Sequence, residues 1–162
     1  MQSSEDSDII SNLFYEADDH IQEDPQKAIK LFEQCIKLEG DLNKAVNRCF
    51  KSAAKIMQIA IKSQDTTTIR AQLERLTEFA SKVSTDDAIN TLNQIVDDVV
   101  ASYFDCNFVL NSIFEACTKN FRAQQEIVWH KVSIRICKVF LDRLEYKHMN
   151  LILDSLKYTF IE

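Results

Sequence analysis

One glycine, Gly40, and one proline, Pro25, are all that 162 residues contain. Tight β-hairpin turns need residues that tolerate positive φ, and phosphate-cradling loops need backbone that no Cβ obstructs. A chain with a single glycine cannot supply either repeatedly. Helices need neither, so the sequence predicts an almost uninterrupted α-helical chain. With 46% hydrophobic and 27% charged residues it has ordinary globular composition and enough length for a substantial core.

The apolar periodicity predicts eight helices. The first runs from about Asp8 to Ile21, with Leu13, Phe14, Ala17 and Ile21 inward, behind an acidic flexible leader over residues 1–7. Asp24 and Pro25 offer an N-cap and a first-turn proline for the second helix. That helix carries Ala28, Leu31, Phe32, Cys35 and Leu38 inward and is expected to stop at Gly40 as a left-handed C-cap. The third runs from about Leu42 to Lys62, where the polar Ser63-Gln64-Asp65-Thr66 breaks it and can cap the next; the fourth runs from Thr68 to Val83, and the fifth, capped by Ser84-Thr85-Asp86, to Tyr103. The sixth, Asn107 to Thr118, is expected to bury Phe108, Leu110, Ile113 and Phe114. The last two cover Phe121 to Leu141 and Tyr146 to Phe160.

Short polar turns between such helices imply hairpins whose apolar flanks only a neighbouring hairpin can cover. The expected fold over residues 8–162 is therefore a right-handed α-solenoid of about four TPR-like hairpins, eight antiparallel helices in all, with a closed bundle as the competing arrangement. Asp24-Pro25-Gln26-Lys27-Ala28-Ile29 followed by Phe32 and Cys35 sets small and aromatic residues at the spacing of the 34-residue helical repeat; Leu144-Glu145-Tyr146 followed by Met149, Leu153 and Leu156 echoes it.

The functional signal is charge. Lys44, Arg48, Lys51, Lys55 and Lys62 recur at offsets of four, seven, eleven and eighteen, and no acid interrupts the chain from Leu42 to Gln64. At about 100° per residue the five fall within roughly 60° of a helical wheel. Val46, Cys49, Phe50, Ala53, Ile56, Met57, Ala60 and Ile61 occupy the other side. A solvated face is the plainer alternative, but ordinary solvated faces mix signs and this one does not. Eight of the 25 acids lie in residues 1–25, which hold no Lys or Arg; the other 17 face all 19 bases. The acidic N-terminus is either a solvated tail or an intramolecular screen of the stripe. Lys131, Arg135 and Lys138 form a second basic patch on the seventh helix, beside Trp129 and His130. Together the two patches suit an acidic protein surface or a polyanion. Nucleic acid is disfavoured because aromatics do not alternate with the bases as a stacking platform requires.

Motifs of catalysis are missing from the sequence. The histidines, His20, His130 and His148, are far apart, and Cys35, Cys49, Cys106, Cys117 and Cys137 include no metal-binding spacing, so they read as reduced core thiols. Glu16, His20 and Asp24, one turn apart, are better explained by capping or salt bridging than by a cation. His130 and Cys137 lack an orienting acid. The expectation is a non-enzyme without metal or resident cofactor; a metal-dependent hydrolase is the disfavoured third class. No stretch reaches the length of a membrane span, and the N-terminus is acidic where a signal peptide is basic, so the chain is expected to be soluble and intracellular.

From Asp24 to Phe160 the wording resembles one family. Asp24-Pro25-Gln26-Lys27-Ala28, Phe32-Glu33-Gln34, Leu38-Glu39-Gly40, Phe50-Lys51, Trp129-His130-Lys131 and Phe140-Leu141-Asp142-Arg143-Leu144-Glu145-Tyr146 are similar to the N-terminal helical-repeat region of COP-nine signalosome subunit two. A paralogous non-ATPase subunit of the proteasome lid shares that architecture and is the alternative. The resemblance implies a scaffold of nucleus and cytoplasm that joins other signalosome subunits. Such a scaffold is expected to grip cullin-RING ubiquitin ligases, through the cullin C-terminal region and the RING subunit, while another subunit removes the modifier Nedd from the cullin. The resemblance also implies an interface ligand, inositol hexakisphosphate, held between basic side chains and the partner. Lys51 matches a family contact lysine and Lys131 a basic position of the second patch. The family's Gly-Glu-Trp-Gly-Phe-Lys stretch has no counterpart in 41–51, which is about three residues longer. The family continues into further repeats and a winged-helix (PCI) module, so this chain is expected to be a piece of a longer subunit.

Overall fold

A computed structural model describes residues 2–42, 46–102 and 105–157. Among them are eight helices and no strand: α1 (Gln2–His20), α2 (Pro25–Leu42), α3 (Asn47–Ser63), α4 (Thr66–Ala80), α5 (Thr85–Ser102), α6 (Asn107–Phe121), α7 (Glu126–Asp142) and α8 (Tyr146–Lys157). The all-α class thus stands, and with it the count of helices. The expected ends at Tyr103 and Phe160 lie outside the described residues.

Several boundaries follow from the caps read in the sequence. Asp24 Oδ1 accepts from the Lys27 amide at 3.0 Å, with Pro25 in the first helical position. At α5, the Asp87 amide donates to Ser84 Oγ at 3.1 Å while Ser84 Oγ–H donates to Asp87 at 2.8 Å, a reciprocal cap that satisfies a helix-end amide. Asp65 caps α4 by accepting from the Thr68 amide at 3.1 Å. Bonds from the Thr68 hydroxyl and amide hold its carboxyl below the usual carboxylate range.

Other boundaries move. Gly40 does not terminate α2: it lies inside the helix, which runs on to Leu42, and no glycine takes positive φ. The left-handed turns fall instead on Gln64 (φ 56°) and Leu144 (φ 59°). Gln64 closes α3 by donating its amide to the Ala60 and Ile61 carbonyls. At the other end of the chain α1 begins at Gln2, so residues 2–7 of the expected leader belong to a helix whose Ile10, Phe14 and Ala17 are buried.

The chain divides into two compact units, Met1–Val83 and Ser84–Glu162. In the first, α1 packs on α2, α2 on α3 and α3 on α4, and α3 also reaches α1. The short turns at 21–24 and 64–65 make α1/α2 and α3/α4 antiparallel hairpins. Phe14 meets Phe32 edge-on at 5.4 Å, and the Arg75 guanidinium grips Glu33 bidentately at 2.6 and 3.0 Å, tying α4 to α2. The second unit is built around α7, on which α5, α6 and α8 all pack; α5 touches α6 only lightly. Trp129 is wholly buried there, and its indole N–H donates to Thr118 Oγ1 at 2.9 Å, which meets the one polar demand of a buried indole.

Candidate functional site

α3 is the helix that carries the first stripe, and its inner side is core as the periodicity requires: Cys49, Phe50, Ala53, Ile56, Met57, Ala60 and Ile61 are all buried. Its N-terminus lacks a side-chain cap of its own, since Val46 cannot accept a hydrogen bond. Glu39 of α2 takes over. Its buried carboxylate accepts from the Cys49 amide, setting an anion against the positive end of the α3 dipole. Periodicity predicts Leu38 inward at this turn; Leu38 is instead 39% exposed and Glu39 is turned in to hold α3. This capping carboxylate was not legible in the sequence, because its partner amide lies ten residues away in another helix.

The stripe is divided by what its members touch. Arg48 lies over the rings of Phe14 and Tyr15, 4.8 and 5.3 Å from their centroids, and reaches Ser11 Oγ at 3.4 Å. Lys55 pairs with Asp18 at 2.7 Å. Both are thereby committed to α1, so the acidic N-terminal helix screens part of the stripe. Lys51 and Lys62 are exposed and have no carboxylate within ion-pair distance among the described residues. Lys44 lies outside the described residues.

The second patch divides in the same way. Arg135 is spent on Asp97 of α5, through two guanidinium nitrogens on one carboxylate oxygen. Lys131 and Lys138 are exposed on α7 without a carboxylate partner among the described residues. The two patches belong to different compact units.

The three histidines are committed to local contacts. His20 Nε2 faces the Lys27 ammonium at 2.8 Å. His130 lies 3.6 Å from Glu126, and His148 stacks on Phe140 while its Nδ1 meets Asn111 at 3.1 Å. No group of three or more His, Cys, Asp or Glu converges as a metal site among the described residues. All five cysteines are free and buried. Burial pushes Cys117 and Cys49 up to about 12 and Cys137 to about 11, with the Glu39 carboxylate adding to the effect at Cys49. No helix among the described residues is long and apolar enough to cross a membrane.

The fold and these faces define an all-helical hairpin protein with two small lysine surfaces. Comparison with known proteins places it no more narrowly: no family model matches the chain, and no solved structure matches it.

Proposed function

We propose that the chain is a non-catalytic recruitment module whose α3 face meets an acidic protein surface. Its partner class is the one the family resemblance implies: a cullin-RING ligase, engaged so that a separate subunit can remove Nedd, in nucleus and cytoplasm. The observation that carries the reading is the division of the stripe. Arg48 and Lys55 serve the fold, whereas Lys51 and Lys62 stay exposed on a helix whose other side is core and which carries no acid. Unpaired lysines on a rigid helix steer an acidic partner and form charge-assisted hydrogen bonds at little reorganisation cost.

Lys51 and Lys62 are eleven residues apart, roughly 16 Å of helix rise. An inositol hexakisphosphate held between the two proteins, as the resemblance implies, would bridge Lys51 to basic groups of the partner.

The test is affinity purification of the tagged full-length subunit from its own cells, with identification of the co-purifying proteins. Signalosome subunits together with cullins are expected. Proteasome-lid subunits would replace the reading with the paralogous scaffold, and neither set would overturn it.

A further inference from the structure

α7 is enclosed by α5, α6 and α8, and its Val128, Trp129, Val132, Ser133, Ile136, Cys137, Val139 and Phe140 are buried. A helix covered by three neighbours has a narrow remaining strip, which is ordinarily polar. Here that strip is aliphatic. Ile127, Ile134 and Leu141 are 62%, 56% and 48% exposed and repeat every seven residues. Heptad positions drift by only ~20° per repeat, so the three form one line about 21 Å long. Lys131 and Lys138 repeat at the same interval, about 50° to one side of that line. An open depression of about 330 Å³ lies along it, bordered by Ile127, His130, Lys131 and Ile134.

We propose that this strip is a docking seam for an acidic amphipathic helix of a partner protein. The period selects a helix, because only a helix presents knobs at the matching interval of about 10.5 Å to fill the spaces between Ile127, Ile134 and Leu141. The charges select its chemistry. Arg135 is already paired with Asp97, and the His130 ring lies against Glu126, which leaves Lys131 and Lys138 to meet acids spaced seven apart on the incoming helix. A second copy fits less well. Two α7 strips would oppose lysine to lysine, and the acidic helix α1 exposes Ile9 and Tyr15 six residues apart, out of step with the seam.

The probe is a fluorescein-labelled four-heptad peptide with leucine at the a and d positions and glutamate at e and g, whose charge repulsion opposes self-pairing. Its binding to the full chain is read by fluorescence anisotropy beside an otherwise identical lysine peptide and poly-glutamate. The wild-type chain should bind the glutamate peptide, more weakly as salt rises. Ile134→Asp, and independently Ile127→Asp, should each weaken binding about tenfold or more with unchanged circular dichroism. Lys131→Glu with Lys138→Glu should exchange the preference from the glutamate to the lysine peptide. The proposal is overturned if poly-glutamate competes as well as the peptide, if both aspartate variants bind normally, if charge reversal exchanges nothing, or if the chain forms dimers that Ile134→Asp dissolves. None of these results depends on the partner being a cullin, so this seam and the recruitment reading can fail separately.

Discussion

Glu39 is the residue whose replacement reports most directly on how the basic face is held. It is buried on α2 and accepts from the Cys49 amide, two residues before Lys51. Glu39→Ala removes a charge-assisted hydrogen bond, worth about 1.5–3 kcal/mol, and strands a buried N–H. It also deletes an anion at a helix N-terminus, worth about 0.3–1 kcal/mol. These terms overlap, so the expected loss is about 2–3 kcal/mol. Glu39→Gln keeps an acceptor but not the charge and should lose about half as much. In a chain of 162 residues each kcal/mol moves the melting temperature by roughly 2–4 °C. Urea unfolding followed by far-UV circular dichroism measures the loss, and amide exchange locates it: the Cys49 N–H should lose protection in the alanine variant first. If both variants stay within about 0.5 kcal/mol of wild type, an uncapped α3 costs nothing and the account of its N-terminus is wrong.

The Lys55–Asp18 pair is part-exposed on both sides, 34% and 41%, so a double-mutant cycle should give a coupling of only about 0.2–1 kcal/mol that fades in high salt. Coupling well above that range would mean that α1 is held by charge and not by Ile10, Phe14 and Ala17. The buried thiols should resist thiol reagents at pH 8 in the folded protein and react only as it unfolds. All five are raised above the ordinary 9.0, Cys49 and Cys117 to about 12 and Cys137 to about 11, so above pH 9 the unfolded chain gives up protons that the folded chain keeps. Stability is then complete below pH 9 and falls as pH rises beyond it, a fall that Cys117→Val should lessen. Rapid labelling of all five thiols in the native state would contradict their burial.

Much of the fold was legible because it rests on local chemistry. The near-absence of glycine and proline marked an all-helical chain, and Asp24, Ser84 and Asp65 stand where side-chain oxygens can cap the next helix. What escaped the sequence depends on contacts between helices. In α6 the buried side chains are Val109, Leu110, Ile113, Cys117 and Phe121, while Phe108 is exposed: α7 sets which face turns in, and periodicity alone cannot. In α8 the inward residues are Ile152 and Leu156, with Leu153 exposed. Gly40 failed as a stop because α2 continues to Leu42 and sets Glu39 against α3. The stripe was visible as spacing, but spacing could not separate Arg48 and Lys55 from Lys51 and Lys62, since the aromatic rings and the acid that claim the first two come from α1.

That division is the central claim, and charge reversal at the two exposed lysines tests it most directly. Binding of Lys51→Glu with Lys62→Glu to a purified cullin-RING ligase, measured calorimetrically at low salt beside the wild-type protein, should be weaker by about tenfold or more, with helix content and unfolding midpoint unchanged. Unaltered affinity in the folded double variant would contradict the claim that these lysines are the contact face.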